Sequence, residues 1–123
     1  MTRIFRFQFL AAAAGTLMLS VALAGPVEDS QKLIKEGKYD EAISQLEKAD
    51  QKQPPIIKAL TQAHMAKADA FMYNDQVSPH IRYTTALREY RKVLVYDKTN
   101  KKAQDNISLI EGIYKSMGRP IPQ

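Results

Sequence analysis

The sequence predicts an all-α protein built from antiparallel helix hairpins. Three observations carry that expectation. Beyond residue 25, apolar residues recur in successive segments at the i, i+4, i+7 spacing of one helix face. Glycine, proline and Asn/Asp clusters separate those segments, and such residues end helices. No stretch alternates apolar and polar residues between hairpin turns, as a half-buried strand requires.

The first two dozen residues stand apart from this pattern. Arg3 and Arg6 make a positive start, Leu10 to Ala24 is almost wholly apolar or small, and Ala22-Leu23-Ala24 offers a small-x-small site before Gly25. That order is the signature of a secretory signal. The expectation is a signal peptide over 1–24 and a mature domain over 25–123, exported to the periplasm or outside the cell. The apolar run falls short of the roughly 20 residues of a membrane span. No stable membrane insertion is therefore expected after cleavage, and an uncleaved N-terminal anchor is the alternative. With no cysteine in the chain, a lipid anchor at the cleavage point and disulfides are both excluded.

Each helix has its own signals. The first is expected over about 27–36, with Glu28 and Asp29 at the positive end of its dipole and Gly37 as its stop. The second, about 39–52, places Ala42, Ile43, Leu46 and Ala49 on one face, and Pro54 and Pro55 close it. The third, about 56–73, carries a stripe of small residues, Ala59, Ala63, Ala66 and Ala70, which lets a neighbouring helix approach closely. Leu60, Phe71 and Tyr73 thicken that face, with Met65, Ala68 and Met72 as a second apolar line. After the turn-forming stretch 74–78, the fourth helix is expected over 79–96, with Ser78 as cap, Pro79 in its first turn, and Ala86, Leu87, Tyr90, Val93 and Leu94 facing inward. The fifth, 101–116, faces inward through Ala103, Ile107, Ile110 and Tyr114 and stops at Gly118.

Two of these segments match each other. Ala42, Ile43, Leu46, Lys48 and Ala49 correspond to Ala86, Leu87, Tyr90, Lys92 and Val93, at an offset of 44 residues. Helix pairs repeat because one pair cannot bury its own apolar face. Gly37-Lys38-Tyr39-Asp40-Glu41-Ala42-Ile43, then Leu46 and Pro54, resembles the turn, Ala-x3-aromatic and closing-proline pattern of the tetratricopeptide repeat (TPR) family. Ala86 and Tyr90 repeat the pattern with the aromatic present, and Asn100 to Ile107 resembles the start of a further repeat. The chain departs from the family in three ways. Its offset exceeds the usual repeat of about 34 residues, Lys98 stands where the closing proline would be, and it has no tryptophan. The resemblance implies a solenoid of about two and a half repeats.

Composition points away from several classes of function. Without Arg3 and Arg6, the 18 basic residues become 16 against 13 acidic, a net of +3, with signs that alternate along helices. Nucleic-acid binding wants a denser basic stripe, so no nucleic-acid partner is expected. The two histidines, His64 and His80, fall in different elements without a clustered carboxylate, so neither a metal nor any other cofactor is expected. His64 is expected to face its own helix or solvent. The glycines form no phosphate loop, and the serines lack a nucleophile-elbow context. Asp40-Glu41 reads as helix-start charge. No catalytic residue is assigned, and the chain is not expected to be an enzyme. Met65, Met72 and Met117 read as packing gap-fillers.

The expected function is binding of a peptide or protein partner in the cell envelope. By resemblance to TPR modules, the first helix of each repeat lines a concave face. That makes Lys58, Thr61, Gln62, Met65 and Asp69 the candidates on the third helix, and Lys102 and Asn106 on the fifth. The long loop before the fourth helix offers a second interface at His80, Arg82 and Tyr83. The alternative is a structural or self-associating subunit of an envelope assembly, a homo-oligomer.

Overall fold

The computed structural model describes residues 18–123, with side chains described from residue 25. Of the expected signal peptide, 1–17 lies outside the described residues, as do the side chains of 18–24. Five helices follow in order: α1 Met18–Lys35, α2 Tyr39–Glu47, α3 Pro54–Met72, α4 Pro79–Tyr96 and α5 Lys101–Ser116. The described residues are all-α and contain no strand.

The helix ends follow from local chemistry. At the end of α1, Gly37 adopts φ 75°. There the Lys38 N–H donates to Leu33 O at 2.8 Å and the Gly37 N–H to Ile34 O at 3.0 Å. This paired motif satisfies carbonyls that the helix leaves open. Gly118 closes α5 in the same way, with φ 65° and a bond from Arg119 N to Tyr114 O. Asn100 caps α5, its side chain accepting from Ala103 N at 3.0 Å. Ser78 occupies the cap position of α4, but its side chain makes no cap hydrogen bond.

Several boundaries differ from expectation. α1 begins at Met18 rather than near 27 and runs through Pro26. α2 ends at Glu47 rather than 52, because Asp50 turns the chain first, its carboxylate accepting from Lys52 N at 3.0 Å. α3 includes both prolines in its first turn, where a missing N–H costs no helix bond.

Among the described residues, substantial packing joins only helices that are adjacent or next-but-one in the chain: α1 with α2 and α3, α2 with α3, α3 with α4, and α4 with α5. Two apolar clusters result, and α3 contributes to both. Ile43, Leu46, Ile56, Ala59, Leu60 and Ala63 form the first, with Val27, Ile34, Ala49 and Tyr96 against it. The second comprises Ala68, Met72, Ala86, Leu87, Tyr90, Val93, Ala103, Ile110 and Tyr114. Ala59 and Ala63 of the expected small-residue stripe are fully buried, whereas Ala66 and Ala70 are half-buried. Two expectations about packing fail. Tyr73 is 68 % exposed because it follows the last residue of α3 on that helix's solvent side. Met117 is 51 % exposed because the chain has already turned at the end of α5.

Candidate functional site

One edge of α3 carries the candidates. Lys58, Gln62, Met65 and Asp69, with Tyr73 just beyond the helix end, follow each other at intervals of three or four residues, so they line up along the helix. Lys58, Gln62 and Tyr73 are exposed, and Met65 is half-buried against the α3–α4–α5 core. On α5, Lys102, Asn106, Leu109 and Ile113 share the same spacing, with Asn106 buried and Lys102 and Leu109 exposed. Asp69 joins the two helices. One of its carboxylate oxygens accepts from the Tyr90 hydroxyl of α4 at 2.6 Å, and the other pairs with the Lys102 ammonium. Burial, and then the bond to Asp69, push the Tyr90 phenol well above its ordinary range, so it stays a neutral donor.

This geometry sorts the candidates named from the sequence. Lys102 and Asp69 come together, but each already holds the other. Asn106 is buried, so its side chain presents little surface to a ligand. The Thr61 hydroxyl donates to Ile57 O at 2.9 Å and is half-buried. Lys58 and Thr61 line a cleft of about 310 Å³ with Pro54, Ile57, Tyr96 and Asp97. Gln62 is exposed and makes no side-chain hydrogen bond among the described residues. Beside these residues stand two large exposed side chains that sequence reading missed, Tyr73 and Leu109, the latter 53 % exposed. For Leu109 the sequence signal was position, since it lies off the Ala103–Ile110–Tyr114 line. For Tyr73 there was none, because the expected helix ran to 73 and the structure ends α3 at Met72.

The loop candidates form a separate group. His80 and Tyr83 border a small hollow of about 90 Å³ with Pro79, Tyr114, Met117 and Arg119. Arg82 turns toward Tyr83: its guanidinium lies 4.7 Å from the ring centroid, and one terminal nitrogen donates to the phenol oxygen at 2.8 Å. Arg82 is thus partly spent on its own neighbour.

A buried charged cluster ties α2, α3 and α4 together. Glu89, only 4 % exposed, accepts from His64 Nδ1 at 2.7 Å and from the Lys67 ammonium at 3.2 Å. Lys67 also reaches Asp40 at 2.6 Å. Burial alone would raise the Glu89 carboxyl, but the bonds from His64 and Lys67 outweigh it and hold the group down at about 2. Burial likewise opposes the charge on Lys67, and its bonds to Asp40 and Glu89 outweigh that, leaving its pKa raised. With Glu89 ionised, His64 Nδ1 is the donor. Its Nε2 has no hydrogen-bond partner among the described residues, and its ring stacks on Tyr96 at 5.8 Å. The expectation that His64 would face its own helix or solvent is therefore corrected: it points into the α3–α4 interface. A signal existed in the sequence, since Glu89 interrupts the apolar line from Ala86 to Val93. This cluster positions helices. Among the described residues no group of three or more His, Asp or Glu is arranged to hold a metal.

A cleft of about 420 Å³ lies between the α1–α2 turn and the end of α3, with Tyr39, Asp40, Lys67, Phe71 and Val77 among its walls. No described helix is long and apolar enough to cross a membrane. Comparison with protein-family models, curated proteins and solved structures finds no match to this chain.

Proposed function

We propose that this chain is an exported, TPR-like module that binds a peptide or protein partner along the surface shared by α3 and α5. The observation that carries the reading is the pair of exposed apolar side chains, Tyr73 and Leu109, set on the same helix stripes as Lys58, Gln62 and Lys102. Aromatic and aliphatic anchors among polar groups are what a recognition surface needs. The solenoid reading draws support from packing that runs only between near neighbours in the chain, each hairpin borrowing the next one's apolar face. Tyr90, which carries the repeat resemblance, is fully buried and braces the surface from behind through Asp69. For export, cleavage before Gly25 would leave Pro26 in the first turn of α1, a position that suits proline.

The test is crosslinking in the native envelope with partner identification, comparing the wild type with a Tyr73→Ser/Leu109→Ser variant. The variant is expected to keep its helicity and melting temperature and to lose the crosslinked partner. Unchanged capture would refute the assignment of this surface. A crosslink to a second copy, lost in the same variant, would make the surface a self-association interface instead. Mass measurement of the exported protein tests the leader: a chain beginning at Gly25 is expected, and an intact Met1 would refute cleavage.

A further inference from the structure

We propose that the solvent face of α4 carries a second binding site, for the carboxylates of an acidic peptide segment, centred on Arg88, Arg91 and Lys92. These three lie at i, i+3 and i+4 and so share one face of the helix. With Val95 and Gln123 they line a hollow of about 190 Å³. It is separate from the α3–α5 surface and stands whether or not that surface binds.

Two of the cations are held in place from behind. Arg88 donates through Nε to Glu89 Oε1 at 3.3 Å, and Glu89 is buried and bonded in turn to His64 and Lys67. The anchor uses the inner edge of the guanidinium. Neither terminal nitrogen has a hydrogen-bond partner among the described residues, and the side chain is 60 % exposed. Arg91 donates to Pro122 O at 2.7 Å and reaches Glu111 at 3.5 Å, so the chain after α5 steadies it. Lys92 is exposed and has no ion-pair partner among the described residues. Cations fixed before binding lose less freedom on binding, and that raises affinity.

The geometry favours a carboxylate. A guanidinium fork matches the two oxygens of a carboxylate side by side, which a lone ammonium cannot do. Val95, 66 % exposed beside the cations, offers contact to an apolar residue next to the acid. A membrane surface fits less well. Basic segments that hold anionic lipid carry about four to eight Lys or Arg, whereas this hollow has three cations and a single apolar side chain to insert.

The test is fluorescence anisotropy of a labelled Glu-Leu-Glu-Glu peptide with the purified protein, with inorganic phosphate and phosphatidylglycerol vesicles as competitors. Saturable binding that weakens with salt is expected. Arg88→Gln/Lys92→Gln should weaken it by about tenfold or more, the loss of a charge-assisted hydrogen bond, with helicity unchanged. Arg88→Lys, which keeps the charge and loses the fork, should also weaken it. Lys101→Gln removes one charge from an exposed pair with Asp105 elsewhere and should leave binding within about twofold, as salt-screened surface charge does. Absence of peptide binding would overturn the proposal. So would equal weakening by Lys101→Gln, wild-type binding by Arg88→Lys, or displacement of the peptide by phosphate or vesicles at lower concentration than by unlabelled peptide.

Discussion

Replacing Glu89 with glutamine should destabilise the protein strongly at neutral pH and hardly at all in acid. The carboxylate is buried and accepts from His64, Lys67 and Arg88. Its pKa falls from an ordinary 4.5 to about 2. Each pKa step is worth about 1.4 kcal/mol, so the native environment favours the ionised form by on the order of 3 kcal/mol. Breaking a buried ion pair from one side costs about 3–5 kcal/mol in general, which agrees. In a domain of this size, about 3 kcal/mol corresponds to about 12–24 °C in Tm. The sign follows from the direction of the shift. A lowered carboxylate contributes fully above its unfolded value of 4.5, progressively less as pH falls, and nothing below about 2. Urea unfolding of wild type and Glu89→Gln across pH 7 to 2 should show a gap that closes through this window. A gap under about 1 kcal/mol at pH 7, or one that stays constant with pH, would refute the account of the cluster.

Other expectations can be checked by the same denaturation assay. Gly37→Ala should cost about 1 kcal/mol, because its φ of 75° strains any side chain although nothing lies within 4 Å of the added carbon. Gly112→Ala should have the opposite sign and stabilise by roughly 0.8–1 kcal/mol, since that glycine lies within α5 and faces open space. Leu60→Ala should cost about 2–5 kcal/mol through the cavity it leaves in the α1–α2–α3 core, where Leu60 is fully buried. Tyr90→Phe should cost about 1–2 kcal/mol by removing the hydroxyl that bonds Asp69, with helicity unchanged.

Much of the fold was legible because helix boundaries are written in local chemistry. Gly37, Pro79 and Gly118 act within a turn of themselves, and α4 and α5 fall where their stops and apolar periods place them, whereas α2 ends at Glu47, before the prolines expected to close it, and Pro54 opens α3 instead. The core lines of α4 and α5 were read from spacing alone, because a helix buries whatever lies on one face. Reading failed where a residue's fate depended on a partner far along the chain. His64 and Glu89 are 25 residues apart, and periodicity carries no information about which two faces will meet. Asn106 has the chemistry of a ligand group, yet packing decides that it is buried. Tyr73 has the chemistry of a core residue, yet the end of α3 leaves it in solvent.

The amino-acid order by itself determined the all-helical class, the breaks between helices and the inward faces of α4 and α5, since each rests on interactions within a few residues. Only the tertiary structure decided that α3 serves two cores at once, that a buried Glu89 of α4 holds His64 and Lys67 of α3 while steadying Arg88 at the surface, and that Tyr73 and Leu109 remain uncovered. Those outcomes depend on distance in space, which is set when the helices pack and not before.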